Sequence, residues 1–175
     1  MKTFSLMFTG ISGSGKTTLS RRIFDELVSK KIVSELLDGD VLRKEWGNPF
    51  GYTREERMKN SRVVRSMIKY LNRNGVSVIV SLVAPYEEMR KGFREYIGET
   101  YIEVYVKCSY EECVRRDVKG YYKSQKEGKM KNLNGADDPF EIPQNSDIIV
   151  DTEHESIDVC AKKIMDYLRV NEYVV

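Results

Sequence analysis

A glycine-rich stretch near the start of the chain carries the residue types and spacing of a phosphate-binding loop. It matches G-x-x-x-x-G-K-[ST] without a mismatch. Glycines let successive backbone N–H groups face phosphate oxygens, while Lys16 would reach the β- and γ-phosphates and the Thr17 hydroxyl would ligate Mg²⁺. The sequence therefore predicts binding of a nucleoside triphosphate with Mg²⁺. The residues expected to bind it are Gly10, Ser12, Gly13, Ser14, Gly15, Lys16, Thr17 and Thr18.

Two carboxylates, Asp38 and Asp40, follow an apolar run at 33–37 and are separated by a single glycine. Close to Mg²⁺ and a transferring phosphoryl group, such a pair can hold metal-bound water and orient an attacking hydroxyl. Spacing does not assign the two parts. We place Asp40 near the acceptor hydroxyl and Asp38 in the outer shell of the metal. The alternative is a solvated turn that merely ends a strand.

Cationic and aromatic side chains follow this aspartate pair. Guanidinium groups suit phosphate or sulfate oxygens, so some of these arginines could bind an anionic acceptor, although most surface arginines do not. Tyr52 could stack on a base or cover the edge of the core. Further along, Arg116 and its neighbour Arg115 could stack on the adenine of ATP. The arginines after Asp40 are Arg43, Arg57, Arg62 and Arg65, with Asn60 among them.

Alternating strand and helix patterns must position these residues. Apolar runs predict strands at 4–9, 33–37, 76–83, 101–106 and 148–150. Helical periodicity predicts helices from 15, over 54–73, from 85 to 97, over 110–117 and near 157–168, with a loop over 43–53. Such alternation predicts an α/β fold with a parallel sheet covered on both faces. The candidate site residues would then share the carboxyl edge of the sheet.

Composition limits the classes of protein and of partner. A length of 175 residues suits one domain over 1–175, and 29 Lys+Arg against 27 Asp+Glu is too balanced for nucleic-acid binding. The uncharged stretch 74–86, which no other in the chain exceeds in length, is too short to span a bilayer. Three cysteines and one histidine predict neither a disulfide framework nor a metal site. We expect a cytoplasmic protein with reduced, buried thiols and no membrane partner.

A lysine-rich segment at about 118–136 has two interpretations. Between residues 119 and 131 it carries five lysines and one glutamate. It could be a lid that closes over two nucleotides and excludes water, or a solvated surface loop. Charge content alone does not separate the two.

Six segments together resemble the adenylylsulfate kinase family over about residues 4–168. They read GISGSGKTT, LLDGDVLR, GYTREERMKN, VSLVAPY, RDVKGYY and GADDPFE. The resemblance implies a three-layer P-loop kinase fold, usually a homodimer. It also implies transfer of the γ-phosphoryl group of MgATP to the 3′-hydroxyl of adenosine 5′-phosphosulfate. The acceptor-binding positions that it implies are Arg43, Tyr52, Arg57, Asn60, Val83, Ala84, Lys119 and Leu133.

Three departures from the family pattern fall on the acceptor side. Ala84 stands where the family commonly has a phosphorylatable serine, Val63 where it has a second arginine, and Leu133 where it has a lid phenylalanine. Losing one face of an aromatic sandwich removes roughly 1–3 kcal/mol of base binding. The alternative acceptor is therefore another nucleotide, such as cytidine diphosphoramidate.

Two other classes fit less well. A GTPase-like switch lacks its Asn-Lys-x-Asp guanine motif in this sequence. A sugar or shikimate kinase would not explain the segments RDVKG and DDP. The sequence therefore favours a kinase with a nucleotide acceptor.

Overall fold

The computed structural model describes residues 2–175 and contains one five-stranded parallel sheet in the order β2-β3-β1-β4-β5. The predicted α/β architecture is confirmed. The strands are β1 (Ser5–Thr9), β2 (Ser34–Asp38), β3 (Ser77–Ser81), β4 (Tyr101–Lys107) and β5 (Ile148–Asp151). The helices are α1 (Lys16–Ser29), α2 (Gly39–Glu45), α3 (Arg54–Arg73), α4 (Glu87–Ile97), α5 (Tyr110–Arg116), α6 (Tyr121–Lys126) and α7 (Ile157–Val170).

The alternation of side chains along β1 divides the core into two layers. Leu6 and Phe8 are fully buried in a cluster with the apolar stripes of α1 and α7. Met7 points to the opposite face and packs in a second cluster with α3 and α4. Because successive strand residues face opposite sides, one strand supplies both layers of the core. Helices therefore cover the sheet on both faces, as predicted.

A third, smaller cluster lies beyond the carboxyl edge of the sheet. It joins Ile11 of the glycine-rich loop to Cys113 of α5, Tyr122 of α6 and Leu133. The Tyr122 hydroxyl also donates to the carbonyl oxygen of Ser12 over 2.8 Å. The lysine-rich segment is thus packed against the phosphate-binding loop rather than extended into solvent.

Two helices were missed by the sequence patterns. Residues 43–45 belong to α2, so the loop predicted over 43–53 begins too early. Helix α6 lies inside the segment predicted as a lid. Both helices have only six or seven residues, too few to show an apolar period. Among residues 2–175, no helix has the length and apolar character needed to cross a membrane.

Candidate functional site

A cavity of about 290 Å³ opens at the carboxyl edge of the sheet. The glycine-rich loop, the turn after β2, helix α3, the segment after β3 and the lysine-rich segment all contribute to its wall. Sixteen of the residues expected from the sequence therefore meet around one space. They are Ser12, Gly13, Gly15, Lys16, Thr17, Thr18, Asp38, Asp40, Arg43, Tyr52, Arg57, Asn60, Val83, Ala84, Lys119 and Leu133.

The glycine-rich loop needs glycine at particular points. Gly13 has φ of 81°, and a Cβ there would lie 3.1 Å from the Cys113 carbonyl oxygen. A Cβ on Gly10 would lie 2.7 Å from the carbonyl oxygen of Val106. The loop is therefore held against β4 and α5 by backbone packing that a side chain would disrupt. It leads directly into α1, whose first N–H groups are free to bind an anion.

Lys16 is buried at the base of the cavity. Its Nζ donates to the carbonyl oxygen of Ile11 over 2.7 Å. Burial, reinforced by the positive charge of Lys119, lowers the pKa of Lys16 to about 8. The side chain is thus a desolvated cation whose charge is incompletely compensated by nearby carboxylates. Such a group gains strongly from an added anion.

Asp38 joins the glycine-rich loop to the turn after β2. Its Oδ2 accepts from the Thr17 hydroxyl over 2.8 Å, and its Oδ1 accepts from the backbone N–H of Asp40 over 2.9 Å. The second contact caps the start of α2 and stabilises this short helix. Thr17 and Asp38 therefore place two hard oxygen donors side by side, the ligand chemistry that Mg²⁺ prefers.

Asp40 takes a different position from Asp38. Its carboxylate is about half exposed and pairs with the ammonium group of Lys119 in the lysine-rich segment. Burial alone would lower the pKa of Lys119, but the hydrogen bond and charge of Asp40 outweigh it and raise that pKa. The ion pair draws the lysine-rich segment over the cavity.

Two guanidinium groups lie close to the Tyr52 ring. The Arg43 guanidinium carbon lies 4.6 Å from the ring centroid and that of Arg57 lies 5.2 Å from it. Arg57 also donates to the carbonyl oxygens of Tyr52 and of Asn132, over 2.9 and 2.8 Å. Burial lowers the pKa of Arg57. These contacts order two cations and an aromatic face before any ligand arrives.

Asn60 lies one helical turn after Arg57 on the inner face of α3 and is buried. Its Oδ1 has no hydrogen-bond partner among residues 2–175. Buried polar atoms are normally paired, so an unpaired acceptor in a cavity wall indicates a ligand donor. The start of α3 is fixed by a capping box between Thr53 and Glu56, which positions Arg57 and Asn60.

The three departures from the family pattern are not equivalent in space. Ala84 and Leu133 are buried in the cavity wall. Val63 is 41% exposed and does not line the cavity, and its neighbour Arg62 lies with Arg65 in a separate surface depression. Val63 therefore lies outside the cavity wall, unlike Ala84 and Leu133.

Three expected residues lie behind the wall rather than in it. Gly10 and Ser14 are buried inside the loop. Arg116 donates to the carbonyl oxygen of Thr152 over 2.8 Å and to that of Gly13 over 3.4 Å. It supports the loop from outside the cavity, and a stacking contact with adenine stays a prediction.

Several wall residues were not predicted from the sequence. The apolar and aromatic minority of the lysine-rich segment, Tyr121 and Met130, was a usable signal, because such side chains rarely occur in a purely solvated loop. Asn134 gave no signal, because its role depends on contacts that only the fold creates. The other additions are Gly39, Ser61, Ser81, Leu82, Pro85, Met89 and Val118.

Comparison with known proteins identifies similar chains. The family model described as adenylylsulphate kinase matches residues 2–151. An adenylyl-sulfate kinase of Halothermothrix orenii is 38% identical over 99% of this chain and 93% of its own length. A probable adenylyl-sulfate kinase of Aeropyrum pernix is 41% identical over 86% of this chain and 84% of its own.

A solved structure has a similar fold over almost the whole chain. The APS kinase CysC of Mycobacterium tuberculosis, in complex with AMPPNP and APS, has a TM-score of 0.90 and 30% identity, covering 96% of this chain and 98% of its own. A shikimate kinase of Acinetobacter baumannii, at 18% identity and a TM-score of 0.62, shares the fold alone.

Proposed function

This chain belongs to the adenylylsulphate kinase family, and from that membership we infer that it transfers the γ-phosphoryl group of ATP to the 3′-hydroxyl of adenosine 5′-phosphosulfate. The product is 3′-phosphoadenosine 5′-phosphosulfate. The reaction makes it a phosphotransferase with an alcohol group as acceptor.

One observation carries the inference. The cavity that begins at the glycine-rich loop continues, without an intervening wall, to the residues of α3 and the lysine-rich segment. Lys16 and Thr17 of the phosphate side thus share one space with Arg57 and Asn60 of the acceptor side. Direct transfer between two nucleotides needs such a shared space, from which water is excluded.

The triphosphate side contributes by neutralising the negative charge of the phosphates. The backbone N–H groups at residues 12–18 hold the phosphates, and Lys16 neutralises charge on the β- and γ-phosphates. Thr17 would hold Mg²⁺, with Asp38 orienting water in its outer shell, which fits their contact of 2.8 Å. When bound, the metal neutralises the charge that develops on the transferred group. Burial of Lys16 makes each of these interactions stronger than it would be in water.

The acceptor side contributes by positioning the acceptor nucleotide. Tyr52 offers a face to the base, while Arg43, Arg57 and Lys119 supply cations for the phosphosulfate group. Asp40 orients the 3′-hydroxyl after Lys119 moves from it to the ligand. Because the transition state for phosphoryl transfer is loose, orientation matters more than removal of the proton.

A panel of acceptors tests the function. With MgATP as donor, kcat/KM would be measured by coupled ADP release for adenosine 5′-phosphosulfate, adenosine monophosphate, cytidine diphosphoramidate and shikimate. We expect a preference of at least about a hundredfold for adenosine 5′-phosphosulfate, because the panel's other members lack either its base or its sulfate group. A preference for the cytidine nucleotide would establish the alternative acceptor, and turnover of shikimate alone would exclude both.

The proposal extends to the organisation of the protein. The whole chain forms a single kinase domain, and residues 118–136 act as the lid, supported by the contacts of Lys119 with Asp40 and of Arg57 with Asn132.

Three buried thiols suit a reducing cytoplasm, where sulfate assimilation takes place. A homodimer is proposed from the family resemblance alone, and sedimentation would test it.

A further inference from the structure

Asn134 of the lid carries a second buried acceptor that no other part of the protein satisfies. The side chain is 2% exposed and lies in the cavity wall. Its Oδ1 has no hydrogen-bond partner among the described residues. Leaving such an oxygen buried and unpaired is costly, so the group is expected to meet a donor in the liganded protein.

The orientation of the Asn134 amide is fixed by its surroundings. Its Nδ2 donates to the Asp138 carboxylate and, over 3.0 Å, to the carbonyl oxygen of Pro139. Both partners are acceptors. Turning the amide around would set its oxygen against a carboxylate and a carbonyl, which is repulsive. The oxygen must therefore occupy the side of the amide away from Asp138 and Pro139.

The partners that fix the amide are themselves held in place. The Tyr86 hydroxyl donates to Asp138 Oδ2 over 2.8 Å. Asp137 accepts from the backbone N–H groups of Asn132 and Leu133, over 3.0 and 2.8 Å. The Gly135 N–H donates back to the Asp138 carbonyl oxygen over 2.8 Å. The turn at 132–138 is thus rigid, and its acceptor is preorganised rather than adaptable.

The neighbours of Asn134 in the wall indicate which part of the ligand it meets. Leu133 and Met130 are apolar, so this part of the cavity suits the flat face and edge of a base rather than a phosphate or sulfate. The Arg57 guanidinium reaches the same turn, but it already donates to the carbonyl oxygens of Tyr52 and Asn132. The donors available on a base edge are its N–H groups, and the exocyclic amino group of adenine or cytosine presents two.

We propose that Asn134 is a specificity-determining residue that accepts a hydrogen bond from the exocyclic amino group of the acceptor's base. This proposal rests on the proposed function, because it assumes a nucleotide acceptor in the cavity. It assigns base selection to a side chain of the lid, so that an acceptor with the wrong base leaves the Asn134 oxygen unpaired when the lid closes. A site built around a hydrogen bond rejects the analogue that lacks its donor.

The test compares two acceptors that differ only in the amino group, adenosine 5′-phosphosulfate and purine riboside 5′-phosphosulfate. For the unaltered protein we expect kcat/KM to favour the amino compound roughly tenfold to a hundredfold. In Asn134→Leu the ratio should fall to within about threefold of one, because no acceptor remains to be left unpaired. Where Asn134→Leu does not fold, Asn134→Ala serves in its place.

A matched control lies two residues away. Asn132→Gly removes an amide from the same turn, tolerates the φ of 59° at that position and keeps the backbone bonds to Arg57 and Asp137. Its ratio should equal that of the unaltered protein. Because a general loosening of the lid would lower both rates together, only a change in the ratio reports on recognition of the amino group.

The outcomes separate this proposal from the proposed function. Turnover of both purine acceptors at equal rates by the unaltered protein, or an unchanged ratio in Asn134→Leu, overturns the role of Asn134 and leaves the kinase assignment standing. Turnover of only a cytidine nucleotide overturns adenosine 5′-phosphosulfate as the acceptor. The Asn134 test then proceeds with that nucleotide and its analogue bearing hydrogen in place of the amino group. If no nucleotide is phosphorylated, both proposals fall.

Discussion

The triphosphate side and the acceptor side of the cavity are built by different means. On the triphosphate side the polar side chains are already paired: Lys16 bonds to Ile11, and Thr17 bonds to Asp38. On the acceptor side the wall comes from distant segments, and it contains the unpaired oxygens of Asn60 and Asn134. Backbone geometry defines the first side, and a combination of side chains defines the second.

This contrast between backbone geometry and side chains explains which parts of the chain keep the sequence pattern of the family. A loop whose glycines are required by φ and by close backbone packing tolerates few substitutions. Side chains that line a pocket can change one at a time, each altering which ligand is accepted. Both departures in the cavity wall, Ala84 and Leu133, fall on the acceptor side. Substitutions should therefore affect the two sides in separable ways.

The largest effect is expected from Lys16→Ala. We propose that this buried cation contacts the β- and γ-phosphates, so its removal should lower kcat/KM by about a thousandfold or more. Coupled ADP release would measure the loss, with circular dichroism to check the fold. Full activity in this variant would contradict the division of the cavity, since the triphosphate side would then lack its central charge.

Asp40→Asn should lower kcat by about a hundredfold with little change in the KM for ATP, because we assign to Asp40 the orientation of the acceptor hydroxyl. Asp38→Asn is the matched variant. Asparagine caps helices as well as aspartate, so α2 should persist while the negative charge beside Thr17 is lost. We expect Asp38→Asn to raise the Mg²⁺ concentration needed for half-maximal activity, and Asp40→Asn to leave it unchanged. The reverse pattern would exchange the two assignments.

A smaller effect is expected from Tyr52→Leu, which removes the aromatic ring beside Arg43 and Arg57. Loss of one stacking partner costs roughly 1–3 kcal/mol, so the KM for the acceptor should rise about tenfold while that for ATP stays constant. Tyr70→Leu is the control, because that ring is 58% exposed and does not line the cavity. An equal rise in both KM values for Tyr52→Leu would show that the two sides are coupled.

The smallest expected effect is a dependence of the KM for ATP on pH, which should involve the triphosphate side alone. The pKa of Lys16 in the free protein is about 8, so its charged fraction falls as pH rises through that value. Between pH 7.5 and 8.5 the KM for ATP should therefore rise about threefold. In Lys16→Arg the guanidinium stays charged, and the rise should be absent. A rise of the same size in that variant would assign it to another group.

The two sides also differ in how well the sequence predicts them. The glycine-rich loop and Lys16 follow from one short pattern, and the cavity confirms that they lie beside the predicted aspartates. Helix α3 was predicted with its observed bounds, since its apolar stripe is long and Asn74-Gly75 ends it. Local signals of this kind need no knowledge of the fold.

The rest could not be predicted, for reasons that particular residues illustrate. The side of α3 on which Val63 lies depends on packing against α4, so a position close in sequence to Asn60 turns away from the cavity. The unpaired oxygen of Asn134 arises only because Asp138 and Pro139 occupy the other end of its amide. Whether a buried polar atom has a hydrogen-bond partner is a property of the folded molecule.

The bond from Arg57 to the Asn132 carbonyl oxygen joins positions 75 residues apart, whereas Lys16 reaches Ile11 across only five. Closing the longer segment costs more chain entropy, so the acceptor wall can open while the triphosphate loop stays intact. In hydrogen exchange, amides near Asn132 would then lose protection before those near Ile11. A molecule opened in this way would retain ATP and release its second substrate, which makes the acceptor wall the weak point of the enzyme under heat or denaturant.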